Sequence, residues 1–80
     1  MRLDKWLKNS RLIKRRTVAK EAAEGEKIYI NGKLAKPSSS VKEGDRLEIH
    51  FGEKVVQVEV IAVIEKASKD DAKTMYRIIS

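Results

Sequence analysis

The 80-residue sequence contains no cysteine, one proline and one histidine. The absence of cysteine excludes a disulfide framework and a thiolate zinc site, and it fits a reducing compartment. A single histidine, His50, has no second imidazole with which to build a transition-metal site. The four glycines are scattered and form no phosphate-binding loop. We therefore expect no metal, no cofactor and no catalytic activity.

Long apolar runs are also missing. No stretch approaches the ~20 apolar residues that span a bilayer, and the N-terminus lacks the apolar segment of a signal peptide. We expect the protein to lie in the cytoplasm without a membrane partner. Because 80 residues hold only one modest core, we also expect one domain spanning residues 1–80.

Basic residues are concentrated at the N-terminus. The first 20 residues hold eight of the 18 lysines and arginines and one of the 12 acids, a net charge of +7. The rest of the chain holds ten bases and eleven acids, so the formal +6 of the molecule arises entirely in this block. A segregated basic block attracts phosphate-bearing partners through Coulomb attraction and counterion release. Nucleic acid is therefore the leading candidate partner.

The apolar residues of the first 25 positions follow a helical period. Leu3, Trp6 and Leu7 recur at i, i+3 and i+4 and predict a short amphipathic helix. A second helix is predicted from about residue 15 to residue 24. Gly25 suits the left-handed position that follows the last turn of such a helix.

Beyond Gly25 the period of the apolar residues changes to two. Residues 28–30 and 33–35 flank Asn31-Gly32, a dipeptide that favours a type I′ hairpin turn. Strands are also predicted at residues 46–51 and from Val55 to about Ile64, and a short helix near residues 69–75. Residues 76–79 could add a strand or a packed tail. The pattern predicts an α+β fold in which two N-terminal helices pack on a small, mainly antiparallel sheet, with a short C-terminal helix.

Five short segments form a more specific combination. They are residues 2–7 (RLDKWL), residues 16–19 (RTVA), the Asn31-Gly32 turn, residues 36–38 (KPS) and Gly44-Asp45. Together they resemble the alpha-L RNA-binding family, the domain named after ribosomal protein S-four. The resemblance implies an alpha-L core at about residues 2–51 and a C-terminal extension of a strand and a helix at residues 54–80. It also implies that the two helices and the first hairpin form a concave basic surface that grips structured RNA.

Within that family the chain resembles two compact types in particular, a bacterial ribosome-associated quality-control protein and a fifteen-kilodalton heat-shock protein. The first resemblance implies docking on the rRNA of large ribosomal subunits and stabilisation of an obstructed peptidyl-tRNA. A tail-adding factor would then extend the carboxy terminus of the nascent chain. The second implies rescue or recycling of the same blocked subunits, and the sequence alone does not separate the two.

We predict that the RNA-binding residues lie within the basic block. The set is Arg2, Asp4, Lys5, Lys8, Arg11, Lys14, Arg15, Arg16, Thr17 and Lys20. Arginine forks can hold two phosphate oxygens or stack on a base, so Arg2 and Arg16 should fix geometry, whereas Lys5 and Lys20 mainly add affinity.

Two members of this set have open roles. Asp4 either orients Arg2 or Arg16 through an ion pair or favours the positive end of the first helix. Many family members carry serine or threonine at the position of Arg15, where it caps the second helix, so here the cap is lost or shifted.

Two other classes of function remain as alternatives. A DNA-binding helix-turn-helix is also small and basic, but its recognition helix needs exposed polar side chains, whereas Val18, Ala19 and Ala22 occupy much of this one. A peripheral membrane anchor needs a large apolar face beside the bases, and we assign Leu3 and Trp6 to the core instead.

Overall fold

A computed structural model describes all 80 residues as three helices and one five-stranded sheet. The elements are α1 (Leu3–Asn9), α2 (Arg16–Glu24), β1 (Ile28–Ile30), β2 (Lys33–Leu34), β3 (Arg46–Phe51), β4 (Lys54–Val60), α3 (Lys69–Ala72) and β5 (Tyr76–Ile78). The strand order is β2-β1-β3-β4-β5, and every neighbouring pair is antiparallel. The predicted α+β fold is confirmed. None of the three helices has the length and apolar character that crossing a bilayer requires.

The core lies between the two N-terminal helices and one face of the sheet. Leu3, Trp6 and Leu7 are completely buried, as the helical spacing predicted, and they belong to one cluster with Ile28 and Ile49. The indole N–H of a buried tryptophan needs an acceptor. That of Trp6 donates to the carbonyl oxygen of Ala62 at 3.0 Å. The core is therefore fixed to the segment after β4 by a hydrogen bond as well as by packing.

The hairpin between β1 and β2 has the predicted turn. Asn31 (φ 51°) and Gly32 (φ 82°) both occupy the left-handed region that a type I′ turn requires. The side chain of Asn31 donates to Asp45 Oδ1 at 3.0 Å and accepts the backbone N–H of Arg46 at 2.9 Å. These bonds fix the hairpin against the start of β3.

β4 is shorter than predicted, because it ends at Val60 instead of continuing to about Ile64. The alternating apolar pattern does continue, but the backbone leaves the sheet. The N–H groups of Ile61 and Ala62 both donate to the carbonyl oxygen of Met75, and the carbonyl oxygen of Ile64 accepts from the side chain of Asn9. Hydrogen bonds to distant elements thus end the strand.

Two further boundaries differ from the predictions. α3 ends at Ala72 instead of near Met75. Gly25 does not take the left-handed conformation after α2, since its φ is −81°. Glu26 takes it instead, with φ 62°, and the N–H of Glu26 donates to the carbonyl oxygen of Ala23 at 3.2 Å.

Met75 is the residue through which the C-terminal segment joins the core, since its side chain is completely buried. Met75→Ala should lower the free energy of unfolding by about 2–5 kcal/mol, because it leaves a cavity in a core that itself supplies only about 3–5 kcal/mol. Ile78→Ala, three residues further on at a side chain that is 62% exposed, is the matched control and should change it by less than about 0.5 kcal/mol. Urea unfolding of both variants checks this. Equal losses would mean that β5 holds the tail as strongly as Met75 does and would contradict the special role of Met75.

Candidate nucleic-acid interface

The N-terminus of α1 has its backbone donors satisfied without a capping side chain on Arg2, the residue before the helix. The N–H of Leu3 donates to the carbonyl oxygen of Ser39 at 2.8 Å, and that of Asp4 to Pro37 at 3.2 Å. The N–H of Lys5 donates to Asp4 Oδ1 at 2.8 Å. The connector, residues 36–41, therefore caps α1 from outside and lies beside the start of the basic block.

Asp4 is the centre of the charged surface. Its side chain is only 3% exposed, yet it contacts two arginines that are about half exposed. Arg2 donates from Nε to Oδ1 at 3.2 Å and from Nη2 to Oδ2 at 3.1 Å, and Arg16 Nε lies 3.5 Å from Oδ2. Of the two open interpretations of Asp4, the structure supports the ion pair, which forms with both arginines. Asp4 also accepts an N–H in the first turn of α1.

The charge state of Asp4 follows from these contacts. Burial raises the pKa of a carboxyl group, but the hydrogen bonds from Arg2, the charge of Arg16 and the N–H of Lys5 outweigh burial, so the pKa of Asp4 lies below its ordinary value of 3.8. Asp4 is thus a fixed anion near neutral pH. It holds two guanidinium groups side by side while each keeps about half of its surface free for a ligand.

A continuous groove runs from this arginine pair along α2 to the hairpin. One part is lined by Arg2, Asp4, Arg16, Thr17 and Lys20. Arg2 and Lys20 also line the adjoining cavity, of about 480 Å³, between α2, β2 and the connector. We call these two parts together the main groove. The structure brings half of the predicted set to this one surface.

Three other predicted residues lie together elsewhere. Lys8, Arg11 and Lys14, with Asn9 and Ala67, line a second groove of about 320 Å³ near the end of α1. The amide of Asn9 donates to the carbonyl oxygens of Ile64 and Glu65 at 3.1 and 3.0 Å. None of the five lines the main groove, so the basic block forms two separate cationic surfaces.

The last two predicted residues lie in neither groove. Lys5 forms an ion pair with Glu65, and the hydrogen bond and charge of Lys5 lower the pKa of that carboxyl group. The charge of Lys5 is therefore partly compensated within the chain. Arg15 is exposed and occupies the position immediately before α2, where its side chain makes no capping hydrogen bond. The side-chain cap of α2 is therefore lost rather than shifted.

The sequence reasoning missed several residues of the main groove. Lys36 adds a cation, Leu34 and Pro37 add apolar surface, and Glu24 and Glu26 add two acids. The charge count ended at Lys20, which is why these residues were not selected. Two signals came from the family resemblance: it placed the first hairpin, which carries Leu34, in the basic surface, and it included residues 36–38 (KPS), which were not assigned to that surface.

The chain is similar to proteins of known family and to solved structures. Residues 1–47 match the S4 domain family. The chain is 57% identical over 79 residues to the RQC P-site tRNA stabilizing factor of Listeria monocytogenes, covering 99% of this chain and 86% of that protein. It is 54% identical over 79 residues to the protein of the same name from Bacillus subtilis, covering 99% and 92%. Among solved structures, Vibrio cholerae heat shock protein 15, described as trimeric, superposes with a TM-score of 0.89 at 32% identity and covers 100% of this chain and 82% of that one.

The contacts of the buried Asp4 carboxylate with its two arginines predict a specific pH dependence for Asp4→Asn. Since the pKa of Asp4 is lower in the folded state, its charge stabilises the fold above pH 3.8, and this contribution disappears as the pH falls through the folded-state pKa. The variant should therefore be less stable by about 1–2 kcal/mol at pH 7, with the difference from wild type shrinking below about pH 4.

Asp70→Asn is the matched control, because Asp70 occupies the same second position of a helix but is exposed. It should change the stability by less than about 0.5 kcal/mol. Chemical unfolding at several pH values measures both variants. A constant deficit for Asp4→Asn from pH 7 to pH 3 would show that the charge of Asp4 contributes nothing.

Proposed function

This chain belongs to the S4 domain family and, within it, to the RQC P-site tRNA stabilizing factors, and from this membership we propose that it is a non-catalytic RNA-binding factor of ribosome-associated quality control. The observation that carries the proposal is the arginine pair held by Asp4 at the main groove. Two guanidinium groups that share one buried anion are preorganised for phosphate oxygens, so little side-chain entropy is lost when RNA binds.

The proposed partners are the rRNA of a large ribosomal subunit and the obstructed peptidyl-tRNA that this subunit retains in the cytoplasm. The two basic grooves support a role that needs two RNA contacts. Arg2 precedes α1 and Lys8 lies near its end, about 9 Å apart along the axis at 1.5 Å per residue. We propose that each groove holds the backbone of a different RNA segment, so the protein stabilises the tRNA while a separate factor adds carboxy-terminal tail residues.

In this proposal all ten predicted residues contribute, but not equally. The main groove, with Arg2, Arg16, Thr17 and Lys20, fixes the geometry of one contact, and Asp4 orients the arginines. Lys8, Arg11 and Lys14 form the second contact, and Arg15, which is exposed and follows Lys14 in the chain, adds charge. Lys5 contributes less because Glu65 already compensates it.

Rescue or recycling of blocked subunits is the second candidate. The likeness to heat shock protein 15 homologues favours it, for example 32% identity over 78 residues with the Haemophilus influenzae protein, of which this chain covers 60%. The stabilizing factors of Listeria monocytogenes and Bacillus subtilis match at 57% and 54% identity over 86% and 92% of their length, so we favour tRNA stabilisation. A dissociation assay distinguishes the two functions. A stabilising factor should slow the release of tRNA from the large subunit, whereas a rescue factor should speed that release.

Arg2→Ala and Arg16→Ala should each weaken binding to large subunits that carry tRNA by about 1–3 kcal/mol, because each removes a guanidinium group from the main groove. Lysine at either position should restore the affinity only in part, since an ammonium group cannot contact two phosphate oxygens in one plane. Co-sedimentation with purified subunits measures the affinity.

Arg77→Ala is the matched control for these variants, because Arg77 is an exposed arginine that pairs with Glu59 and lines neither groove. Arg77 lies on β5, at the edge of the sheet opposite β2 and the main groove. The control variant should co-sediment like the wild type. Melting curves should confirm that each variant is folded, since the remaining arginine still faces Asp4. Undiminished binding by both groove variants would place the RNA-binding surface elsewhere.

A further inference from the structure

The main groove contains apolar surface that contacts to an RNA backbone do not need. Ala23 from α2 and Ala35 after β2 line it and are each 3% exposed, so they form its floor. Leu34, which is 50% exposed, and the ring of Pro37 lie beside them. A cavity of about 480 Å³ lies within the range of about 300–1,000 Å³ that small-molecule clefts occupy.

The charge of the groove changes sign along α2. Lys20 and Glu24 are four residues apart, so they occupy the same helix face one turn from each other, and both line the cavity. Glu26 adds a second carboxylate beyond the end of the helix. A ligand that only carried phosphates would be repelled at this end. The groove therefore suits a ligand that carries an anionic group at one end, a flat ring in the middle and hydrogen-bond donors at the other end.

Glu26 is also held in an unfavourable backbone conformation. Its φ of 62° crowds the Cβ atom, and glycine adopts this region far more readily. The N–H groups of Glu26 and Lys27 donate to the carbonyl oxygens of Ala23 and Ala22, so the position of Glu26 is fixed. The backbone at Glu26 therefore has a defined place at the edge of the apolar floor, and its exposed carboxylate can act as a hydrogen-bond acceptor there.

We propose that the main groove binds one unpaired nucleobase of the RNA and prefers guanine. The inference rests on the proposed function and specifies the ligand of the same site. The backbone phosphate would contact Arg2, Lys20 and Lys36, and the base would lie on the alanine floor. Ionised carboxylates only accept hydrogen bonds, and the Watson–Crick edge of guanine presents two adjacent N–H donors to Glu24 or Glu26, whereas that of uracil presents one between two carbonyl groups.

Three RNA hairpins with the same stem test the proposal, one with a bulged guanosine, one with a bulged uridine and one fully paired. Fluorescence anisotropy gives the dissociation constant of each. The wild type should bind the guanosine hairpin at least about five-fold more tightly than the uridine hairpin. The double variant Glu24→Gln, Glu26→Gln should lose this ratio, and Glu21→Gln, on α2 but outside the groove, should keep it. Ratios are compared because removing acids strengthens binding to every RNA.

Two further variants separate a binding role from a structural one. Leu34→Ser should weaken binding to both bulged hairpins but not to the paired one. Val55→Ser, at a similarly exposed apolar residue of β4, should weaken binding to neither bulged hairpin. Glu26→Gly should raise the melting temperature, because glycine relieves the crowding, and should still reduce the guanine preference. A purely structural Glu26 gives the first change without the second.

Equal affinities of the wild type for the three hairpins, with binding still sensitive to salt, would overturn the proposal and leave the proposed function intact. A guanine preference that survives the double glutamine variant would overturn it as well. Failure to bind any of the hairpins, together with failure to co-sediment with large subunits, would overturn both the nucleobase site and the proposed function.

Discussion

The contact between Asp4 and its two arginines is the interaction on which the basic surface depends. Eight cations within 20 residues repel one another, and without an internal anion Arg2 and Arg16 would adopt extended, separate conformations. Asp4 is almost completely buried, and the two guanidinium groups and the N–H of Lys5 that contact its carboxylate keep it ionised. One negative charge is thus used to place two positive charges, and the net charge of the surface remains strongly positive.

Asp4 can hold this position because α1 is anchored at both ends. The carbonyl oxygens of Pro37 and Ser39 accept the first N–H groups of the helix, and the carbonyl oxygens of residues 62, 64 and 65 accept from Trp6 and Asn9. The connector and the segment that follows β4 therefore position α1. This explains why an extension beyond the residues that match the S4 family matters for the surface, even though it contributes almost none of the lining side chains.

Much of this architecture could be predicted from local sequence patterns. The spacing of Leu3, Trp6 and Leu7 and the Asn31-Gly32 turn act over a few residues, and the clustered charge is visible by counting. The end of β4 at Val60 could not be predicted, because distant hydrogen bonds stop a pattern that continues in the sequence. The left-handed conformation at Glu26 instead of Gly25 was also missed. The N–H groups of Glu26 and Lys27 bond back to the carbonyl oxygens of Ala23 and Ala22, and the sequence pattern does not show which residue takes this conformation. The contribution of Lys36 to the groove required knowing that the connector lies beside α2, whereas the family resemblance already implied a role for the first hairpin, which carries Leu34.

The affinity of Asp4→Asn for structured RNA, measured at several salt concentrations, tests the central claim most directly. Removing a negative charge from a basic surface should strengthen binding if the surface acts only through its net charge. If Asp4 orients the two arginines, the variant should bind at least about five-fold more weakly despite its higher charge, a loss of about 1 kcal/mol. Equal or tighter binding by a folded Asp4→Asn protein would contradict the account.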